Sequence, residues 1–598
     1  MQEYTRPGEV PIDPAHNATT GLFQNAVTHP DRPCMAYRQG DRFIDVSTRD
    51  TVDRIRAIAK GLMALGVEPG DRVALLSETR MEWTLLDYAI WTAGAVTVPI
   101  YETSSAEQIQ WVVSDSESVG IISSSEELDG RVAEVADELP TLRARYVIDD
   151  GGIEAIIAAG TEVSDEDVEA RRVAVSGEDV ATLVYTSGTT GRPKGCVITH
   201  GNFVWDVTQT LSIAGFFQAG KSTLLFLPLA HILARVIQCS VMTAGVRLVY
   251  STGIANLVEE LQLAKPDFLL AVPRVFEKVY NGAQQRAHGD GKGSIFDRAA
   301  DVAIEYSKGK ASGKIPFAVK AQHVVFDKLV YSKLRDAMGG NVTHAVSGGA
   351  ALGDRLGHFF DGIGVTIFEG YGLTETTAAA CINDEHDMRV GTVGKPLPGA
   401  SVRIAEDGEI LLKGGNIFVG YYNNDEATAD SFDEDGWFRS GDLGKLDDGF
   451  LRITGRKKEI LVTAGGKNVA PAVIEDRIRS HPLISQVMVV GDGEPFIAAL
   501  ITIDEEALPA WCEANDKPAD LDALIDDDEF RAAIQEGVDR GNKAVSKAES
   551  VRTWRLLPAD FVVGEELSQK QSVKRHYVMD KYGDVVADIY SGAKTSGM

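Results

Sequence analysis

Short apolar runs alternate with helix-length stretches early in the chain, and few folds accommodate that alternation. Thr51 to Leu65 carries apolar residues at helical spacing. The turn Gly66-Val67-Glu68-Pro69-Gly70-Asp71 ends it, and Arg72-Val73-Ala74-Leu75-Leu76 follows as a short buried strand. Trp83 to Ala95 reads as a buried helix, followed by the apolar run Val96-Thr97-Val98-Pro99-Ile100. Strand-like runs recur at Val119-Gly120-Ile121-Ile122 and Tyr146-Val147-Ile148. Parallel strands need helical crossovers, and these spacings supply them. The expected fold class is α/β, built of βαβ layers around a largely parallel sheet.

The chain has 598 residues, more than one ordinary domain holds. Arg286 to Lys320 is richer in Gly, Lys and Ser and reads as a surface excursion with some helix. Alternation at Val402-Arg403-Ile404 and Glu409-Ile410-Leu411-Leu412 marks a small β-rich subdomain, placed at about 399–455. A boundary falls near Gly455-Arg456-Lys457-Lys458. Beyond it, Gln486–Val490 and Ile497–Ile501 read as strands of a small α+β region, and acidic Asp520–Glu529 as a solvated helix and its approach. The expected organisation is a large N-terminal domain, 1–455, and a small C-terminal domain, 456–598.

Chemistry concentrates in Tyr185-Thr186-Ser187-Gly188-Thr189-Thr190-Gly191-Arg192-Pro193-Lys194-Gly195, which follows the strand candidate Ala181–Val184. Its glycines let the backbone approach a ligand closely. Its hydroxyls and N–H groups can donate to phosphate oxygens, and Lys194 adds charge. The order is not that of a Walker A loop, which needs Gly-Lys-Ser/Thr after four spacer residues. The alternative is a plain glycine-rich turn.

This segment resembles the phosphate-binding loop of the AMP-dependent synthetase and ligase superfamily, whose members form acyl-adenylates. Other segments match in the family's order. Ser347-Gly348-Gly349-Ala350-Ala351-Leu352 resembles the loop beside adenine. Gly370-Tyr371-Gly372-Leu373-Thr374-Glu375-Thr376, preceded by Glu369, resembles the motif whose aromatic ring stacks on adenine. The resemblance implies that Thr374 contacts the α-phosphate and that Glu375 holds Mg2+. Trp437-Phe438-Arg439-Ser440-Gly441-Asp442-Leu443-Gly444 resembles the motif whose aspartate accepts both ribose hydroxyls; Arg456 would reach the ribose, and Lys458 sits at the hinge position. Thr463-Ala464-Gly465-Gly466-Lys467-Asn468 resembles the loop that leaves room for the pantetheine arm of coenzyme A. The implied nucleotide and coenzyme A contacts are Thr186, Ser187, Gly188, Thr189, Thr190, Gly191, Lys194, Gly348, Gly349, Ala350, Glu369, Gly370, Tyr371, Gly372, Thr374, Asp442, Arg456, Lys458, Gly465, Gly466 and Lys467.

Within the superfamily, Leu227-Pro228-Leu229-Ala230-His231-Ile232-Leu233-Ala234-Arg235 and Val272-Pro273-Arg274-Val275-Phe276-Glu277-Lys278-Val279 resemble the long-chain fatty acyl-CoA synthetases. The implied reaction joins a fatty acid to coenzyme A through an acyl-adenylate, with ATP, Mg2+ and coenzyme A. The small domain is implied to be mobile, rotating between the two steps. Thr186, Lys194, His231, Thr374 and Glu375 take catalytic roles, with His231 beside the acyl carboxylate; the alternative for His231 is a helix histidine bonded in the core.

One motif departs from the family. In Leu567-Ser568-Gln569-Lys570-Gln571-Ser572-Val573-Lys574-Arg575, the expected catalytic lysine falls on Ser572. A hydroxyl supplies no positive charge to a phosphoryl transition state. Three readings stay open: the lysine is absent and adenylation is slow, Lys570, which would share a strand face with position 572, partly takes over as the catalytic lysine, or Ser572 is a deliberate substitution. Ser572 leaves open an ATP- or acyl-binding protein impaired in adenylation; a separate rival is a fatty acyl-AMP ligase that stops after the first step and hands its adenylate to a carrier protein.

The net charge is −29, from 59 basic and 88 acidic residues, which argues against a nucleic-acid partner. It does not favour electrostatic docking on an anionic membrane either, so peripheral contact stays open, as does the choice between monomer and homodimer. The five cysteines form no C-x-x-C pair and read as scattered buried thiols in a reducing compartment. The N-terminus carries no apolar signal core, so the expected location is cytoplasmic, at most peripheral at the inner membrane face.

Overall fold

The computed structural model describes residues 2–186, 192–568 and 572–594. Ser187, Gly188, Thr189, Thr190, Gly191 and Lys570, all named above as site residues, lie outside the described residues. Among the described residues the expected alternation becomes two parallel-rich sheets. The first orders Gly420–Tyr421, Lys194–Thr199, Val180–Thr186, Val96–Ile100, Arg72–Leu76, Gly120–Ser123 and Ala144–Val147. Its five strands from Val180–Thr186 onward run parallel, and the first two pair antiparallel at one edge. The strands are apolar on both faces because helices cover both sides, as parallel sheets require. The Thr48–Ala64 helix begins at Ser47, whose side chain accepts from the Asp50 N–H, and buries Val52, Ile55, Ile58, Ala59 and Leu62.

The second sheet has nine strands. Its parallel centre runs Thr366–Tyr371, His344–Ser347, Phe268–Ala271, Ser222–Leu225, Arg247–Tyr250 and Pro33–Gln39. The β-rich part is a five-stranded antiparallel sheet in which Gln2–Thr5 pairs with Ser401–Ile404, so the N-terminus is sewn onto residues four hundred positions away. The smaller C-terminal part packs Pro471–Arg479 and Asp528–Asn542 on the sheet Ile484–Val490, Ile497–Ile503, Val551–Leu556. The protein is thus mixed α/β, with a large N-terminal domain and a smaller C-terminal one.

The expectation for Arg286–Lys320 needs correction. That stretch is mostly the helices Pro273–Gly289 and Gly293–Ala311, and the second is part of the core. It buries Phe296, Ala299, Ala300, Val302 and Ala303. It meets the Asp354–Gly362 helix so closely that a Cβ on Gly362 would stand 2.1 Å from the Ala303 carbonyl oxygen. Small residues at a tight helix crossing leave a weak hydrophobic period, which is why the sequence reads as a surface excursion with only some helix. All five cysteines are buried, as expected, and none is in a disulfide.

Candidate active site

The strands Val180–Thr186, His344–Ser347 and Thr366–Tyr371 lead at their carboxyl ends into the motif segments, and carboxyl ends of strands are where open α/β sheets usually bind ligands. Thr186 pairs with Lys194 across the base of the phosphate-loop segment. The Lys194 ammonium lies 5.0 Å from the Tyr421 ring centroid. Tyr421 donates its hydroxyl to Glu375 Oε1 at 2.7 Å. Four residues before Glu375, Tyr371 donates to Asp442 Oδ2 at 2.7 Å, and Asp442 Oδ1 takes Arg456 Nε at 3.0 Å. Two chains of contacts result, Lys194–Tyr421–Glu375 and Tyr371–Asp442–Arg456, joined through the short backbone stretch between Tyr371 and Glu375. A carboxylate has about four acceptor sites, so Asp442 retains capacity for a diol.

The turn carrying Thr374 and Glu375 is strained. Thr377 and Ala378 hold φ of 48° and 80°, which side-chain-bearing residues rarely adopt. A Cβ on Gly372 would stand 1.5 Å from the Ala378 carbonyl oxygen, so only glycine fits there. Buried Asp206 accepts from the Ala379 N–H at 3.1 Å, and Thr377 donates its hydroxyl to the Asn416 carbonyl at 2.8 Å. These two contacts hold the turn closed. Thr374 is buried at its start.

On the adenine side, Gly348 and Gly349 follow the His344–Ser347 strand, and Gly349 has φ of 86°. Glu369 pairs with Ser347 and accepts from the Leu352 N–H at 2.9 Å, tying the loop that carries exposed Ala350 to the strand leading into Gly370. Burial pushes the Glu369 carboxyl up to about 7. Burial likewise raises Asp442, with Arg456 opposing the shift.

His231 caps the Ile232–Ala244 helix: its Nδ1 accepts from the Leu233 N–H at 3.1 Å, which puts the proton of a neutral ring on Nε2. Thr79 braces the approach, donating to the Leu227 carbonyl at 2.7 Å and accepting from the Leu229 N–H. One turn into the helix, Arg235 is wholly buried. It grips Asp87 through Nε and Nη2 and donates Nη1 to Thr182 at 2.6 Å. Thr182 lies on the strand that feeds the phosphate loop. The sequence reading quoted Arg235 without a role and missed Asp87 and Tyr421. An apolar helix interrupted by one carboxylate, as in Leu85-Leu86-Asp87-Tyr88-Ala89, was the available signal for Asp87.

No group of three or more His, Cys, Asp or Glu side chains among the described residues is arranged to hold a metal. Mg2+ is usually held by one or two carboxylates and substrate phosphates. Glu375, with one oxygen occupied by Tyr421, is the carboxylate that would hold it.

In the small domain, Gly465 and Gly466 sit at the tip of the hairpin Leu461–Val462/Asn468–Val469; a Cβ on Gly466 would meet open space, and its φ is 77°. Lys467 pairs with Glu549 at 3.3 Å. Lys458 lies in the 3-10 turn Lys457–Glu459. Ser572 is exposed, and its N–H donates to Ser568 Oγ at 3.2 Å. Lys574 donates Nζ to the Gly564 carbonyl at 2.6 Å.

The same architecture occurs in known proteins. The adenylation domain of a carboxylate reductase from Mycobacterium chelonae superposes with a TM-score of 0.75 at 23% identity, over 97% of this chain and 92% of that one. A fatty acyl CoA synthetase of Mycobacterium tuberculosis gives 0.61 at 22% identity, over 95% and 99%. At these identities the likeness establishes the fold alone. The profile of the AMP-binding enzyme family matches residues 22–422, and that of the AMP-binding enzyme C-terminal domain matches 458–594. The chain belongs to the AMP-binding enzyme family. Long-chain-fatty-acid–CoA ligase FadD15 of Mycobacterium bovis is 47% identical over 99% of this chain and 100% of its own length. Long-chain-fatty-acid–CoA ligase ACSBG2 of Xenopus laevis is 31% identical over 96% and 84%.

Proposed function

We propose that this protein is an AMP-forming long-chain fatty acid–CoA ligase. The observation that carries the reading is the pair of contact chains Lys194–Tyr421–Glu375 and Tyr371–Asp442–Arg456, which supply a cation, two carboxylates and an aromatic ring, groups suited to the phosphates, Mg2+, base and ribose of MgATP. Likeness to the fatty acid–CoA ligases above, over nearly the whole chain, supports the substrate class.

In the first half-reaction, one oxygen of the fatty carboxylate attacks the α-phosphorus of ATP, the bond to pyrophosphate breaks, and acyl-adenylate forms. His231 Nε2–H orients the carboxylate. Thr186, Lys194 and the Ser187–Gly191 loop take the departing phosphates, Thr374 the α-phosphate, and Asp442 with Arg456 the ribose. Glu369, Gly370 and Gly372 hold Tyr371 and the Gly348–Ala350 loop about the base. Mg2+, when held by Glu375, neutralises phosphate charge. In the second half-reaction, coenzyme A thiol attacks the acyl carbonyl, releases AMP and loses its proton. The domain boundary lies at 455/456, and the small domain rotates about Lys458 to bring the Gly465–Lys467 loop to the site. The large domain acts by positioning and charge stabilisation, with no protein nucleophile. No described helix is long and apolar enough to cross a membrane.

Ser572 favours a second reading, a protein impaired in adenylation with Lys570 as stand-in. Lys574, which would serve only if the register of the motif shifted, donates instead to the Gly564 carbonyl. A mass-spectrometric product assay with palmitate, MgATP and coenzyme A decides between them. Palmitoyl-CoA and AMP from the protein as it stands support the ligase. Turnover only after Ser572→Lys favours the impaired protein. Acyl-AMP persisting with coenzyme A present favours an acyl-AMP ligase, and silence from both forms overturns the reading.

A further inference from the structure

The Phe317–Phe326 helix continues through the π-helical turn Asp327–Tyr331 into Ser332–Ala337. One face of this rod packs inward through Val319, Tyr331 and Leu334, which are buried. The opposite face is also apolar. Phe317, Ala321, Val324, Val325 and Leu329 recur on it at helical spacing and all are exposed. Phe317 is 86% exposed and Val324 63%. Apolar residues scattered singly over a surface need no explanation, but a contiguous row marks an interaction site.

The charge around the row is equally unusual for this chain. From Lys308 to Lys333 there are six lysines and one carboxylate, Asp327, in a protein whose net charge is −29. Asp327 is taken up by Arg335 at 2.8 Å. Lys314, Lys320, Lys328 and Lys333 are exposed, and among the described residues none forms an ion pair. The global charge repels anionic surfaces; this segment locally reverses it.

We propose that this face is a docking surface for an anionic lipid bilayer. The apolar row enters the boundary between headgroups and acyl chains, while the flanking lysines keep their stems on the apolar surface and their ammonium groups among the phosphates. Charge complementarity selects this occupant over a second copy of the chain. A two-fold contact through the same face would set Lys320 and Lys328 against their own copies, and like charges across an interface are unfavourable. The inference rests on surface chemistry and not on the catalytic assignment, so either can fail without the other.

The test is flotation of the full-length protein with vesicles of phosphatidylcholine, with and without phosphatidylglycerol. The expected result is binding to the anionic vesicles that weakens as salt is raised. Phe317→Glu with Val324→Glu abolishes it. Each lysine near an anionic surface contributes about five-fold to binding, so Lys320→Glu with Lys328→Glu lowers the partition constant by at least about a hundred-fold. Both variants change exposed residues that take no part in the site described above, and they keep the parent's melting temperature. Absence of binding by the parent, equal binding to both vesicle types, or a stable dimer that Phe317→Glu dissolves would overturn the proposal.

Discussion

Tyr421 links the two ends of the nucleotide site, with its ring beside Lys194 and its hydroxyl on Glu375. The bond orients the carboxylate, so its loss should be felt more weakly than loss of the carboxylate itself. Tyr421→Phe is expected to lower kcat/KM for MgATP by about ten-fold, the worth of one hydrogen bond to a charged group. Glu375→Gln should cost roughly a hundred- to a thousand-fold in kcat, the scale of losing one preorganised electrostatic contact. Steady-state kinetics separates them, and equal losses would mean that Tyr421 does more than orient. Glu375 could be read from its motif because its neighbours in sequence define it. Tyr421 could not, because 46 residues separate the pair and only the short antiparallel pairing of Gly420–Tyr421 with Cys196 and Val197 brings them together. Glu369 makes a different prediction. Burial holds its carboxyl up to about 7, so the folded protein binds that proton more tightly than the unfolded chain. Stability from this site therefore falls as pH rises above the ordinary glutamate range, and the loss is complete above about 7. Glu369→Gln keeps an acceptor for the Leu352 N–H and removes the charge. Denaturant unfolding should show the variant more stable than its parent by ~2–3 kcal/mol at about pH 8, and no more stable at about pH 4. An equal difference at both would show that Glu369 titrates normally.

At the scale of elements, the Asp87–Arg235 pair clamps three of them: the Met81–Thr92 helix, the Ile232–Ala244 helix that His231 caps, and the Val180–Thr186 strand that feeds the phosphate loop. Both partners are fully buried, so removing one strands a charge. Asp87→Ala is expected to cost about 3–5 kcal/mol in urea unfolding, whereas Asp87→Leu with Arg235→Met, which removes both charges, should recover most of it. If the double variant is no better than the single, the loss comes from packing instead. A clamp of this kind escapes sequence reading because neither partner has a pattern of its own; each is one polar residue in an apolar helix. The βαβ layers were readable because strand and helix periods differ and parallel strands are apolar on both faces. The Gly293–Ala311 helix was not, because its buried face uses alanine and glycine to admit the Asp354–Gly362 helix, and close backbone approach leaves no hydrophobic stripe. The N-terminal strand Gln2–Thr5 was hidden for the opposite reason: four residues carry too little period, and their partner lies at Ser401–Ile404.

At the scale of the whole molecule, the ion pairs of Arg456 and Lys457 with the large domain lie in the hinge segment itself, and beyond it, among the described residues, two more ionic contacts join the large domain to the small one in this orientation. Arg274, on the Pro273–Gly289 helix, reaches Asp504 and Ser485, each at 3.3 Å, and Lys278 reaches Glu506 at 3.0 Å. They differ in weight. Arg274 and Asp504 are each under one-fifth exposed, and a charge-assisted bond in such a setting contributes about 1.5–3 kcal/mol. Lys278 and Glu506 stand in solvent and add less than about 1 kcal/mol. If the small domain turns about Lys458 between the two half-reactions, both contacts must break, and Arg274 sets most of that cost. Arg274→Ala should therefore raise the population of other orientations by about ten-fold, the equivalent of 1.4 kcal/mol, while Lys278→Ala changes it about two-fold at most. Single-molecule energy transfer between one dye on each domain reads the populations directly. The Arg274→Ala shift should resemble what raised salt does to the parent protein, because screening weakens the same contacts. A distance distribution unmoved by Arg274→Ala, with a salt response unchanged, would mean that apolar packing between the domains, and not these ion pairs, sets the orientation.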